Sequence, residues 1–248
     1  MATSPQETSK TAHDTLAQKT KDGSVISGGH LVAKALKATG HRVLIISKDP
    51  ERAAKSAAEI NCEFESVDFE DLAATQSKFE EIREKYGTPS ILVLAHGVMS
   101  EKMSKTLRTT SQEWRRVMAI NLDSTFIAIN TLAPAMAEAR NGRVIIFSAC
   151  LGRMSGPGNA GGLAPYRISK SGVNALVRNL AHETGQGGRG FLVDAICPNH
   201  SRTDMGGPDA PRSAEEGAAT AIWLATRKFE AGTDQTGLFW EDQVVIPW

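Results

Sequence analysis

The stretch RVLIISKDPERAAKSAA, Arg42 to Ala58, sets a short run of Val, Leu and Ile directly before a Pro-led amphipathic segment. An uninterrupted β-branched run of this length is what a strand buried on both faces requires, and Pro50 suits the first turn of the helix that follows. The same alternation recurs along the chain from Ser24. Strands are predicted at Val25–Ser27, Arg42–Ile46, Cys62–Val67, Ile91–Leu94, Arg143–Phe147 and Leu192–Cys197. Helices are predicted at Leu31–Thr39, Glu51–Ala58, Leu72–Tyr86, Ser111–Ala139 with a kink near Asn121, Pro165–Glu183 and Ser213–Thr226. Short buried strands separated by helices build a parallel sheet with helices on both faces, so the fold expected over residues 24–248 is a single-domain, doubly wound α/β sheet of Rossmann type.

The bulk properties agree with an ordinary globular domain: 248 residues, 41% hydrophobic and 23% charged. Twenty-eight basic residues balance 28 acidic ones, leaving no field to hold a polyanion, so nucleic acid is excluded as an expected partner. The three cysteines, Cys62, Cys150 and Cys197, form no CxxC pair and have no histidine cluster nearby, which speaks against metal and for a reducing, cytoplasmic setting. No apolar run approaches the ~20 residues of a membrane span. Residues 1–23 are polar and of mixed charge and read as a flexible leader. Organelle import is the alternative, opposed by the absence of Arg and the presence of Glu7, Asp14 and Asp22.

Chemistry concentrates at Tyr166-Arg-Ile-Ser-Lys170. A spacing of four places Tyr166 and Lys170 on one helix face, where an ammonium beside a phenol favours the phenolate and lowers its pKa. Ser148 ends a predicted strand, where open α/β sheets bind ligands, and Asn121 lies inside an earlier helix. Taken alone, a Tyr and a Lys on one helix turn are a common surface arrangement.

In combination, Ser148, Tyr166, Lys170 and Ile196-Cys-Pro-Asn-His-Ser-Arg-Thr-Asp-Met-Gly-Gly207 resemble the short-chain dehydrogenase/reductases, in particular their carbonyl-reductase-like branch. Ala119-Ile-Asn-Leu122, Asp49-Pro-Glu-Arg52, Gly207-Pro-Asp-Ala-Pro-Arg-Ser213 and the closing Ile246-Pro-Trp248 extend the resemblance from Ser24 to Trp248. It implies that Tyr166 protonates a carbonyl oxygen as hydride arrives, that Lys170 tunes Tyr166 and holds the cofactor ribose, that Ser148 hydrogen-bonds the carbonyl, and that Asn121 holds a relay water. It also implies NADP(H), with Ser27, Gly28 and Gly29 at the phosphates, Lys48 toward a 2′-phosphate, Asp68 at the adenine, and Gly97, Pro198 and Thr203 along the groove. Relatives commonly associate through the helices around Asn121 and Tyr166, which implies a homodimer or homotetramer, with a monomer, as in several carbonyl-reductase-like relatives, the alternative.

The phosphate loop departs from this pattern. Relatives carry T-G-x-x-x-G-x-G, whereas Val25-Ile-Ser-Gly-Gly-His-Leu-Val32 leaves a turn about five residues short. Leu94-Ala95-His96-Gly97 replaces the family's N-N-A-G, and Asn199-His200 follows Pro198 where Gly is usual. His96 is either a titratable cofactor contact or a histidine filling volume near a strand end, and His200 borders the substrate or is an ordinary loop histidine. Lys48 and Asp68 have plain alternatives too, a solvated lysine and a helix cap. The glycines from Gly152 to Gly162 form either a mobile lid or a flexible connection. Arg153 is the one charged residue there, which favours a neutral carbonyl or alcohol substrate. Three functions stay open: an NADP(H)-dependent oxidoreductase, which the complete catalytic set favours; a cofactor-free Tyr/Lys acid-base enzyme such as an isomerase, lyase or cyclase; and a non-catalytic binding or assembly subunit.

Overall fold

The computed structural model describes residues 23–27, 29–101, 104–156 and 161–248. The expected leader up to residue 22, and Gly28, lie outside the described residues. The elements alternate as expected: β1 (Gly23–Ser27), α1 (His30–Ala38), β2 (Arg42–Ser47), α2 (Pro50–Ile60), β3 (Glu63–Ser66), α3 (Leu72–Tyr86), β4 (Ile91–Leu94), α4 (Ser111–Met118), α5 (Ser124–Glu138), β5 (Gly142–Phe147), α6 (Ala164–Glu183), β6 (Phe191–Ile196) and α7 (Ala214–Thr226). Two short strands close the chain, β7 (Phe239–Glu241) and β8 (Val244–Val245), neither of which was predicted. The first strand starts at Gly23, one residue inside the range assigned to the leader.

Strand order is β3-β2-β1-β4-β5-β6-β7-β8, parallel throughout except for the β7–β8 hairpin. The order reverses between β1 and β4, and in a doubly wound sheet that switch point opens the ligand crevice at the carboxyl ends of the strands. Alternate residues of each strand serve opposite faces: Ile91 and Val93 of β4 pack with Val32, Leu36 and Leu224 of α1 and α7, while Leu92 and Leu94 pack with Phe79, Leu132 and Val177 of α3, α5 and α6. A sheet covered on both faces explains why these strands read as continuous apolar runs. The edge strands depart, with Glu63 and Phe64 of β3 and Val244 and Val245 of β8 exposed.

Helix starts follow from local chemistry. Asp49 accepts from Glu51 N–H and Arg52 N–H ahead of α2, Asp71 accepts from Ala74 N–H ahead of α3, and Ser213 and Glu216 form a reciprocal capping box at α7. The far edge of the sheet is pinned by buried Asp194 of β6, which accepts from Leu238 N–H at 3.2 Å, Trp240 Nε1 at 3.0 Å and Thr236 Oγ1 at 3.1 Å.

Candidate active site

Ser148 directly follows β5 and is buried, its Oγ donating to Asn174 Oδ1 at 2.5 Å. Tyr166 lies in the first turn of α6, which begins after Leu163, a non-glycine residue with φ of 53°. Left-handed backbone at a bulky residue is uncommon and costs about 1–3 kcal/mol, so the surrounding packing must enforce it. Between Ser148 and α6 the chain makes a short 3-10 turn, Cys150–Gly152. A Cβ at Gly152 would come within 2.7 Å of the Lys170 carbonyl carbon, so only glycine lets this turn rest against α6.

Lys170, one turn beyond Tyr166, is fully buried, and its Nζ lies 6.0 Å from the centre of the Tyr166 ring. Its ammonium donates to the Phe147 carbonyl at 2.7 Å, and burial pushes its pKa down to about 8. The expectation that Lys170 lowers the Tyr166 pKa is reversed here. Burial holds the Tyr166 phenol above its ordinary value, and the neighbouring Cys197 and Cys150 push the same way. The physical reason is that the Lys170 ammonium donates to a backbone carbonyl, while the phenol is buried.

The single helix predicted over Ser111–Ala139 is broken at Ala119–Asp123 by a π turn, the local form of the predicted kink. Asn121 within it is 1% exposed and clamps the segment after β4, its Oδ1 accepting from Val98 N–H at 2.8 Å and its Nδ2 donating to Val98 O at 3.0 Å. The same Nδ2 donates to Ser169 Oγ at 3.0 Å, and Ser169 donates to the Tyr166 carbonyl at 2.8 Å. A Cβ at Gly97 would lie 3.3 Å from Asn121 Oδ1 and 3.5 Å from Lys170 Nζ. Asn121, Gly97, Lys170, Tyr166 and Ser148 are therefore gathered at the carboxyl ends of β4 and β5.

The residues expected along the rest of the groove are placed unevenly. Ser27 ends β1 and Gly29 stands at the N-cap of α1, while Gly28 lies outside the described residues. The first turn of α1 contains no acidic residue and no side chain caps it. Lys48 and Asp68 meet each other in an exposed ion pair at 2.8 Å, which holds the Asp68 carboxyl below the usual range. Asp68 also accepts from Glu70 N–H at 3.1 Å, and the cap of α3 falls to Asp71 instead. Pro198 accepts from Ser201 Oγ at 2.8 Å, and Thr203 Oγ1 accepts from Gly206 N–H at 3.1 Å, so both shape the loop after β6.

Both histidines meet partners within the fold. His96 is buried, stacks on Phe69 with ring centres 4.1 Å apart, and meets Ser124 Oγ at 2.7 Å. Burial, aided by the charge of Lys170, pushes its pKa down to about 3, so it is neutral at physiological pH. His200 is exposed and meets the Gly206 carbonyl at 2.8 Å. The glycine-rich stretch is described up to Gly156 and again from Gly161, with 157–160 outside the described residues.

Sequence reasoning missed Asn174. It sits one further turn along α6 from Lys170, accepts the Ser148 hydroxyl and donates to Gly152 O at 3.3 Å. The signal was available, because Tyr166, Lys170 and Asn174 repeat every four residues on one face.

A sequence model described as short chain dehydrogenase matches residues 25–213. The 3-oxoacyl-[acyl-carrier-protein] reductase FabG of Salmonella typhimurium is 31% identical over 180 residues, covering 71% of this chain and 70% of that protein. The inactive 2-(S)-hydroxypropyl-CoM dehydrogenase 2 of Xanthobacter autotrophicus is 31% identical over 178 residues, covering 71% and 74%. Carbonyl reductase family member 4 of Xenopus tropicalis is 28% identical over 178 residues, covering 71% and 72%. A solved short chain dehydrogenase/reductase family protein superposes with a TM-score of 0.76 at 20% identity, over 89% of this chain and 95% of that one. Among the described residues no helix is long and apolar enough to cross a membrane, and no cluster of His, Cys, Asp or Glu suits a metal.

Proposed function

This chain belongs to the short-chain dehydrogenase/reductase family, and from that premise we propose that it reduces a neutral carbonyl compound with NADP(H). The observation carrying this reading is the buried Lys170 ammonium over the Tyr166 ring, with Ser148 and Asn121 tied to the same helix. A bound nicotinamide dinucleotide supplies or accepts the hydride. The residues present fit its nicotinamide end in their chemistry: glycine at position 97 lets the backbone pass close to the Asn121 amide and the Lys170 ammonium, polar groups suited to holding a ribose and a carboxamide. At the phosphate end the fit reduces to the uncapped start of α1.

Tyr166 gives its phenolic proton to the substrate oxygen. The phenol is protonated at neutral pH, as the proton donor in carbonyl reduction must be, and burial, by holding it above its ordinary value, makes it a weaker acid than a free tyrosine. Ser148 turns its hydroxyl from Asn174 to the same oxygen, donating where negative charge develops. Asn174 holds that hydroxyl in place beforehand, and Lys170 places a positive charge beside the site.

NADPH consumption against a panel of neutral aldehydes and ketones tests the reading. Alcohol formed in step with NADPH oxidised is the expected result, and a folded protein inert toward the whole panel would overturn it. Lys48→Ala should raise the KM for NADPH about three- to tenfold and leave that for NADH unchanged, the size expected of one exposed charge contact. The sequence Ser27-Gly-Gly-His30, short of the family's phosphate loop, favours a second reading, a cofactor-free acid-base enzyme. Turnover that needs Tyr166 but no nucleotide would establish it. We also propose that the chain self-associates through α4, α5 and α6, where Trp114, Phe126 and Ile168 stand exposed. Native mass spectrometry should find a dimer or tetramer that Phe126→Glu dissociates, and a monomeric wild type would refute this.

A further inference from the structure

Cys150 opens the 3-10 turn after Ser148, and Cys197 directly follows β6. Strands β5 and β6 are paired in parallel, Phe147 beside Ile196. Their pairing continues beyond the sheet: Ser148 N–H donates to the Ile196 carbonyl at 2.8 Å, and Cys150 N–H donates to Cys197 Sγ at 3.0 Å. The Cys197 thiol, so met by the Cys150 backbone, donates in turn to Asn199 Oδ1 at 3.9 Å. Cys197 is 2% exposed, whereas Cys150 is only partly covered. Two sulfurs so placed, 47 residues apart in sequence, are a chemical pair created by the strand register.

We propose that Cys150 and Cys197 are a thiol-oxidation site that closes to an intramolecular disulfide on exposure to hydroperoxide. Cys150 attacks first. Its thiolate attacks the terminal hydroxyl oxygen of the hydroperoxide, an S–O bond forms as the O–O bond breaks, and the alkoxide, or hydroxide from hydrogen peroxide, leaves and takes up a proton to become alcohol or water. The sulfenic acid formed on Cys150 is then attacked by Cys197, the S–O bond breaks, and the hydroxyl leaves as water with the Cys197 proton. Two thiols and one peroxide become one disulfide, one alcohol or water, and one further water, the sulfurs losing the two electrons that the peroxide gains. The division of roles follows from exposure, since Cys150 is the partly covered thiol and Cys197 the buried one, and the neighbouring thiols act on each other in the same sense, Cys150 pushed down to about 7 and Cys197 pushed up. Cys62, whose thiol burial pushes up, lies on the far side of the sheet order and serves as an internal control.

Closure acts on the active site because the turn carrying Cys150 is clamped to α6. A disulfide draws its sulfurs to about 2.05 Å, closer than unbonded sulfurs stand. The Gly152 carbonyl accepts from Ser171 Oγ at 2.8 Å and Asn174 Nδ2 at 3.3 Å, and its Cα rests on the Lys170 backbone. Movement of the turn therefore pulls on Asn174, which holds Ser148, and on the helix segment bearing Lys170.

Stoichiometric hydrogen peroxide applied to the purified full chain, followed by alkylation and peptide mapping, tests the site without substrate or nucleotide, so its failure leaves the reductase reading untouched. The expected result is a Cys150–Cys197 cross-link reversed by dithiothreitol, with Cys62 alkylated throughout and Cys150 reacting at least about tenfold faster than Cys62 at pH 7. Cys197→Ser should trap a dimedone-reactive sulfenic acid on Cys150, and Cys150→Ser should abolish oxidation of Cys197. Free alkylation of both residues after peroxide, or a cross-link through Cys62 or between chains, would overturn the proposal.

Discussion

Tyr166→Phe lowers kcat for carbonyl reduction about 10²–10⁴-fold, the contribution of a positioned general acid. The loss should fall on kcat and leave KM nearly unchanged, because a proton is delivered only as charge develops on the substrate oxygen. Stability should hold. The aromatic ring that fills the buried position stays, and the phenolic oxygen makes no hydrogen bond to another described residue, so no partner is orphaned. Steady-state kinetics beside a thermal melt reads both quantities. Activity within a few-fold of wild type would remove Tyr166 from the acid role.

Lys170→Met should abolish turnover yet raise stability at neutral pH by roughly 1–3 kcal/mol, because it removes an ammonium from a buried site. Burial lowers the Lys170 pKa from 10.5 to about 8, so between these values the unfolded chain binds more protons than the fold. Wild-type stability therefore gains a contribution as pH rises through that window, and loses it again as pH falls toward about 8. The methionine variant has no such group. Its advantage should be largest below pH 8 and fade toward 10.5, a difference read from paired denaturant melts across that range. The lost hydrogen bond to the Phe147 carbonyl sets against the gain about 1 kcal/mol. A variant less stable than wild type at pH 7 would show that the ammonium is stabilising where it lies. Stability given up at the residue needed for chemistry is a common arrangement of active sites.

The sheet was legible from sequence because strands buried on both faces cannot disguise themselves: Ile91–Leu94 and Arg143–Phe147 have no polar face to blur the run. Strands β7 and β8 escaped because they are three and two residues long, too short for any period to show. Spacing on a helix brought Tyr166 and Lys170 together correctly, since a four-residue repeat is local geometry. It could not say where the long Lys170 side chain ends, and that depends on the Phe147 carbonyl, 23 residues away in sequence. The charge logic failed with it, because burial of the phenol outweighs a neighbour that points elsewhere. His96 shows the same limit: its partners, Phe69 and Ser124, are supplied by α5 and by the loop before α3. The cysteine pair was invisible for a sharper reason. Cys150 and Cys197 read as isolated residues until the β5–β6 register sets one beside the other.

The turn between β1 and α1 bears hardest on the proposed chemistry, since in the proposed reading a pyrophosphate would be received at the start of α1. Insertion of five residues between Gly28 and His30 would isolate its contribution. The most direct measurement is a calorimetric titration of the purified protein with NADPH and with NADH. Saturable NADPH binding at one site per chain, weakened by Lys48→Ala, is the predicted result. No detectable heat of binding with either nucleotide, from protein shown to be folded, would contradict the account of this chain as a nicotinamide-dependent reductase.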